Sequence, residues 1–346
     1  MKRPRFENAG LLLVASLIAG CGGSQIQGAP GASSLGAQVL PNDGRLMQGS
    51  DGASWMAPDS KKQDLLYVSN RGYVSVYTYP GGKLVGALTG FNAVYGLCAD
   101  KAGNVFVTDA PGRIFGQDGA EIVEYAHGGT GAINVLDDTG NRPFGCAVDP
   151  KTGNLAVTNF CASQGGGCSG GGNVAIFRKA KGAPTRYTDG SILQMWFCGY
   201  DPQGNLFVDG LIGYQYSEGV EVAELKNGSS TFTNILLDRV IYVPGGVQWD
   251  GKYLAIGDAG AGGKFAASIH QVQVTGSTGT VVGTTRLKGA GSVYQFWIQG
   301  SNVIAPSPQW ANDVRFYPYP VGGSPTKIIT GDLKNLWGAT VSEAPR

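Results

Sequence analysis

Beginning at Leu65, short apolar runs alternate with turns rich in Gly, Asn and Asp, the pattern of strands bounded by tight turns. An apolar strand leading to a polar turn recurs as Tyr95–Asp100, Phe144–Asp149, Trp196–Asp201 and Gly245–Asp250. Degenerate copies lie at Tyr294–Gln299 and Trp337–Ser342. The sixth residues of successive copies are 49, 52, 49, 49 and 43 positions apart, a period that fits propeller blades and is too long for short solenoids. A second strand follows each of the first four copies, at Asn104–Asp109, Asn154–Asn159, Asn205–Asp209 and Tyr253–Asp258, a hairpin signal. Third strands alternate polar and apolar residues at Val74–Tyr79, Glu121–Tyr125, Asn173–Phe177, Val220–Leu225, Ile269–Val274 and Val314–Tyr319. Turns such as Pro80–Gly82 and His127–Gly129 then lead to fourth strands such as Leu84–Leu88 and Ala132–Leu136.

Four strands in each of six units predict an all-β, six-bladed β-propeller over residues 64–346, with four antiparallel strands per blade. The ends of the repeat predict how the ring closes. The first unit opens at its second strand, Leu65–Asn70, and lacks an inner one, whereas the chain ends on an unpartnered inner strand, Leu336–Ser342. The last strand is therefore expected to complete the first blade. The composition agrees with many short strands and tight turns: 57 Gly, 15 Tyr, 13 Phe and 6 Trp in 346 residues, without long helical periodicity.

Three motifs carry a resemblance: the Gly96-to-Asp100 strand, the turn through Gly103 and Asn104 to Val107, Thr108 and Asp109, and the strand opening Val74, Ser75, Val76, Tyr77. Together they resemble the NHL-type propellers, with a looser likeness to gluconolactonase propellers. The resemblance covers residues 65–346 and implies architecture rather than chemistry. Kelch and WD40 signatures are missing, since no Gly-Gly doublet opens each second strand and no Trp-Asp pair ends each third one.

The N-terminus has a different character. Lys2, Arg3 and Arg5 precede an apolar run from Ala9 to Gly20 that is too short for a permanent membrane span, the layout of a secretory signal. Leu17–Cys21 resembles the lipobox of bacterial lipoproteins, which implies cleavage after residue 20 and acylation of Cys21, with palmitate among the acyl groups. An ordinary signal peptide with a chance cysteine is the alternative. Gly22 rather than Asp after Cys21 favours the outer membrane where there are two. Residues 21–63, rich in Gly, Ala, Ser, Gln and Pro up to about residue 60, are too poor in aromatics to repay ordering and are expected to form a flexible tether. Removing residues 1–20 takes away three basic residues and Glu7, leaving 23 Lys+Arg against 24 Asp+Glu. That balance, without a basic patch, points away from nucleic acid.

Function in a propeller is sought at the channel mouth, where inner strands begin and second strands end. The inner strands open on Tyr95, Phe144, Trp196, Gly245, Tyr294 and Trp337, and the second strands close on Asn70, Asp109, Asn159, Asp209, Asp258 and Ser307. Aromatics interleaved with Asp109, Asn159, Asp209 and Asp258 suit a carbohydrate, or a peptide or protein with aromatic anchors. The alternative is structural: aromatics packed between blades, and carboxylates bonded to their own turns. An oxygen-ligand cation site at Asp109, Asn159, Asp209 and Asp258 is the third reading. Gluconolactonases place a carboxylate before the inner-strand glycine, but that position here is aromatic or Gly, which weighs against metal-dependent hydrolase or lyase chemistry. No metal and no cofactor are expected, and the enzyme question stays open, with binding or envelope scaffolding ahead of catalysis. His127 in a rim turn and His270 on an outer strand are expected at the surface and outside the channel, which weighs against a Ser-His-Asp relay or a His-rich zinc site. Five cysteines remain after Cys21. Cys161 and Cys168 flank a Gly-rich loop and are expected to pair; Cys98, Cys146 and Cys198 fall on inner strands as small hydrophobes, with Cys146–Cys198 a weaker second bridge.

Overall fold

The computed structural model describes residues 52–111, 119–164, 167–260, 267–308, 312–331 and 333–345, all within one compact unit, residues 47–346. The secretory signal, Cys21 and the tether as far as Asp51 lie outside the described residues.

Six small sheets form a six-bladed propeller. Blade I is Leu65–Asn70, Tyr73–Thr78 and Leu84–Thr89, completed by the inner strand Ala339–Ser342. That strand pairs antiparallel with the second, placing Leu65 opposite Ser342 and Tyr67 opposite Thr340, so the ring closes as the repeat ends require. Blade II is Val94–Ala99, Val105–Asp109, Glu121–Tyr125 and Ala132–Asp137. Blade III runs Asn141–Val148, Leu155–Gln164, Asn173–Phe177 and Thr185–Tyr187; blade IV runs Gln194–Tyr200, Leu206–Leu211, Val220–Leu225 and Thr233–Asn234. Blade V is Pro244–Trp249, Leu254–Asp258, Ser268–Thr275 and Thr278–Arg286, and blade VI is Trp297–Gln299, Asn302–Ser307, Asp313–Pro318 and Lys327–Ile329.

Three blades carry an addition. Trp55–Met56, within the stretch expected to be tether, pairs with Gly86 and Ala87 on the outer strand of blade I. Gly167–Gly170 folds back on the long second strand of blade III, and Leu236–Leu237 runs parallel to the outer strand of blade V.

The core lies between blades. Six apolar clusters occupy the six blade–blade interfaces, and strand alternation divides each blade between two of them. Leu65 and Tyr67 face blade II, while Leu66 and Val68 face blade VI. Both faces of Leu65–Asn70 are thus covered and every residue in it is buried, which is why it reads as a continuous apolar run.

The same alternation decides the disulfides. Cys161 pairs with Cys168 as expected, but the second bridge is Cys98–Cys146, not Cys146–Cys198. Cys146 and Cys198 sit two residues after the start of their copies and point the same way, each Sγ toward a backbone carbonyl of the preceding blade, Phe106 and Ala156 respectively. Cys98 sits one residue later in its copy, so it faces forward and meets Cys146. Cys198 keeps its thiol, buried, and burial pushes that thiol's pKa upward. The two histidines also differ from expectation, since both are buried. His127 bonds the Ser342 hydroxyl through Nδ1 (2.6 Å) and lies 3.1 Å from the Gln63 carbonyl through Nε2, holding the blade II rim against the closing strand. His270 bonds Thr284 Oγ1 at 3.0 Å within blade V. Burial lowers the pKa of both.

Two outcomes check this packing. Val341→Asp places a carboxylate in the interface between blades VI and I and is expected to abolish cooperative thermal unfolding, whereas Leu84→Asp, on the exposed outer strand, stays within about 0.5 kcal/mol of wild type. Alkylation of the native protein should label no propeller cysteine and alkylation after denaturation only Cys198; Cys98→Ala with Cys146→Ala should cost about 4 kcal/mol, from the loop entropy of a 48-residue separation.

Candidate functional site at the propeller axis

At the seams between blades, neighbouring inner strands come closer than a side chain allows at some positions. A Cβ at Gly96 would lie 2.4 Å from the Phe144 carbonyl of the next blade, and one at Gly145 2.7 Å from that of Trp196. The same approach lets neighbouring blades bond. Thr108 Oγ1 donates to the Phe144 carbonyl (3.2 Å) and Thr158 Oγ1 to that of Trp196 (2.6 Å). Gly245 N–H donates to Asp209 (3.1 Å), Gly246 N–H to the Tyr294 carbonyl (2.6 Å) and Gln295 N–H to that of Trp337 (3.0 Å). The Gln295 side chain then passes over Gly338 of blade I and bonds both backbone groups of Leu97, at 3.0 and 2.7 Å. The result is a polar girdle that runs round the ring.

Register explains why Asp209 joins it. Asp209 occupies the place of Thr108 and Thr158, not that of Asp109 and Asn159, because its strand reaches the carboxylate one residue sooner after Asn205. It accepts Phe197 N–H at 2.9 Å as well as Gly245 N–H, and its complete burial holds its pKa well above the usual carboxylate range.

The other second-strand ends serve entry loops. Asp109 accepts the N–H groups of Asn92 (2.9 Å) and Ala93 (2.8 Å), and Asp258 those of Tyr242 and Val243 (both 3.2 Å). Asn70 Oδ1 accepts Lys334 N–H (3.0 Å), and Ser307 donates to the Ala290 carbonyl. Asn159 instead enters a buried network in blade III, bonding Asn173 (3.1 Å), which bonds Asn141 (2.8 Å) beside the Arg186–Asp138 ion pair (2.6 Å). Asp109, Asn159, Asp209 and Asp258 therefore face separate partners. Among the described residues no group of three or more His, Cys, Asp or Glu side chains is placed to hold a metal. The residues do not fit the ion that the gluconolactonase likeness implies.

The aromatic openers do converge. Tyr95, Phe144, Trp196, Tyr294 and Trp337 come from five blades yet touch one another, which only the axis permits. Ring centroids are 4.7 Å apart for Tyr95–Phe144, 4.9 Å for Phe144–Trp196, 6.0 Å for Trp196–Tyr294, 4.5 Å for Tyr294–Trp337 and 5.0 Å for Tyr95–Trp337. Gly245, the one opener without a ring, lets Trp196 of blade IV reach Tyr294 across blade V. Phe160 and Phe197 thicken the plug. Phe144 and Trp196 are only 4% and 3% exposed, so the rings fill this mouth with one another. Trp196 Nε1 finds no acceptor among the described residues.

Space opens instead in the other half of the channel, which the repeat had not singled out. A cavity of about 350 Å³ lies below the plug, walled by the later residues of the inner strands of blades II to VI, among them Cys198, Tyr200, Trp249 and Trp297. Most of its wall is Ala, Val, Gly, Pro and aromatic carbon, and burial drives the Tyr200 pKa upward.

No protein-family model and no curated protein matches the chain. Among solved structures, a chain of the crystallised nidogen/laminin complex is 14% identical with a TM-score of 0.62, over 82% of this chain and 100% of that one. A functionally unknown protein from Desulfotomaculum acetoxidans DSM 771 is 11% identical with a TM-score of 0.54, over 87% of this chain and 92% of that one. These likenesses show the propeller fold.

Asp109 yields a pH test. Burial outweighs its backbone hydrogen bonds and raises its pKa from 3.8 to about 6. Between those values the folded chain binds more protons than the unfolded one, so stability falls as pH rises through the window. Asp109→Asn removes the titration. Denaturant melts should show the variant gaining on the order of 3 kcal/mol relative to wild type between pH 4 and pH 7. A constant difference would refute the assignment.

Proposed function

We propose that the protein is a bacterial cell-envelope lipoprotein, with an NHL-type propeller held off the membrane by an acylated Cys21, that binds a peptide or protein partner on the plugged face. One observation carries the binding reading. Ile212, Tyr214 and Tyr216 on the loop after the second strand of blade IV, and Val240 and Tyr242 on the loop entering blade V, are all exposed; Tyr214 reaches 61% and Tyr242 58%. Both loops lie at the end where the aromatic plug sits, and Tyr216 touches the plug through Trp196, with ring centroids 5.9 Å apart.

Apolar side chains gathered on adjacent loops, rather than scattered, are the usual mark of an interaction surface. Tyr is suited to it, with a rigid ring for burial and a hydroxyl for a polar rim. Because the plug leaves no deep hole at this face, a broad surface is a better match to the geometry than a small ligand. The girdle and the plug supply rigidity, so little order is lost on binding. The lipobox-like Leu17–Cys21 supports the anchor, and the low-complexity residues after it support reach from the membrane. Hydrolysis has less support, since the carboxylates of Asp109, Asp209 and Asp258 are already used by backbone N–H groups.

The two halves of the reading are tested together. Cys21→Ala should lose palmitate labelling and move from the detergent phase to the aqueous phase in a partition assay. On peptide arrays, the triple variant Tyr214→Ser, Tyr216→Ser, Tyr242→Ser should lose tenfold or more of the wild-type signal, about 1.4 kcal/mol. Unchanged partitioning would remove the anchor, and unchanged array binding would remove the patch.

A further inference from the structure

At the face opposite the plug, blades IV and V leave between them a groove of about 530 Å³, within the roughly 300–1,000 Å³ range of small-ligand sites. Trp249, at the end of the inner strand of blade V, walls both this groove and the channel cavity. Its Nε1–H is shielded from solvent and has no acceptor among the described residues. A buried donor left in that state is costly, so an acceptor brought by a ligand would be rewarded.

Glu224, on the third strand of blade IV, lines the same groove although only 5% of the residue is exposed. Among the described residues no hydrogen bond supports its carboxylate, and burial raises its pKa. The groove is thus lined by two residues, Trp249 and Glu224, whose polar side-chain groups have no hydrogen-bond partner among the described residues. Asp201, by contrast, is occupied by its own turn, accepting Gln203 N–H at 2.8 Å and Asn205 N–H at 2.9 Å. Two carboxylates, Asp201 and Glu224, are offset by two ammonium groups, Lys226 and Lys252, so the groove favours neither an anion nor a cation. The rings of Trp249 and Tyr253 add apolar faces among these polar groups.

We propose that this groove binds a neutral saccharide, with a sugar ring against Trp249 and Tyr253 and its hydroxyls shared between Trp249 Nε1–H, the Glu224 carboxylate and Lys226. A sugar ring has what the lining asks for: an apolar C–H face, no charge, and hydroxyls that both donate and accept. The groove is at the other end of the ring from the exposed tyrosines, so the proposal does not depend on the partner surface.

Saturation-transfer NMR and calorimetry on the full chain, with chito-, cello-, malto- and manno-oligosaccharides up to about 10 mM, test it. At least one neutral oligosaccharide should bind. Trp249→Phe, which keeps a ring and removes only the N–H, and Glu224→Gln, which keeps shape and removes the charge, should each weaken that sugar tenfold or more, with circular dichroism unchanged. Tyr214→Ser with Tyr216→Ser should leave it unaffected. Absence of binding to every sugar by the wild type would overturn the proposal, as would binding that survives both groove variants.

Discussion

Six inner strands must stand side by side around one axis, and at the seams between neighbours there is room for backbone but not for side chains. That constraint places Gly96 and Gly145 where a Cβ would strike the next blade's carbonyl, and it brings blades near enough for Thr108, Thr158 and Asp209 to bond across the seam. Each such bond joins buried polar groups, and leaving a buried partner unmatched costs more than an average hydrogen bond contributes. Gln295 spans the place where blade I lends only a glycine, reaching Leu97 two blades on. The interface clusters, the ring closure by Ala339–Ser342 and the position of the aromatic plug all follow from holding this centre.

The plug and the cavity are two consequences of one geometry. At the start of each inner strand the side chains turn inward and, being mostly aromatic, meet one another; later in the strands Cys, Ala, Gly and Val leave space. A propeller whose mouth is stoppered by its own rings presents a surface at that end and recesses at the other. The exposed tyrosines on one face and the groove at Trp249 and Glu224 on the other are thus separate opportunities for recognition, held rigid by the same ring.

Much of the fold was legible because the repeat is written in strand periodicity. The six copies, the split first blade and the closing strand are local patterns with a fixed spacing, and the structure has all of them. The candidate site was legible only as a set of residue types. Tyr95, Phe144, Trp196, Tyr294 and Trp337 were visible as strand openers, but whether they lined a cleft or filled it depended on ring-to-ring distances that no spacing encodes. The carboxylates looked like one set, yet a one-residue offset gives Asp209 a seam to tie and leaves Asp109 and Asp258 to hold entry loops.

By itself, the sequence determined the architecture, the number of blades, the route of closure and the Cys161–Cys168 bridge, since each rests on neighbours in the chain or on a regular period. Only the tertiary structure decided which faces of adjacent inner strands meet. Alternation reverses a side chain with every residue, so a single position separates Cys98, which reaches Cys146, from Cys198, which does not. It also decided burial: His127 and His270 sit in polar stretches yet are enclosed, because the closing strand covers one and blade V's own outer strand bonds the other. The groove at Trp249 draws on residues from two blades, and its unmatched donor and acceptor exist only once those blades stand side by side.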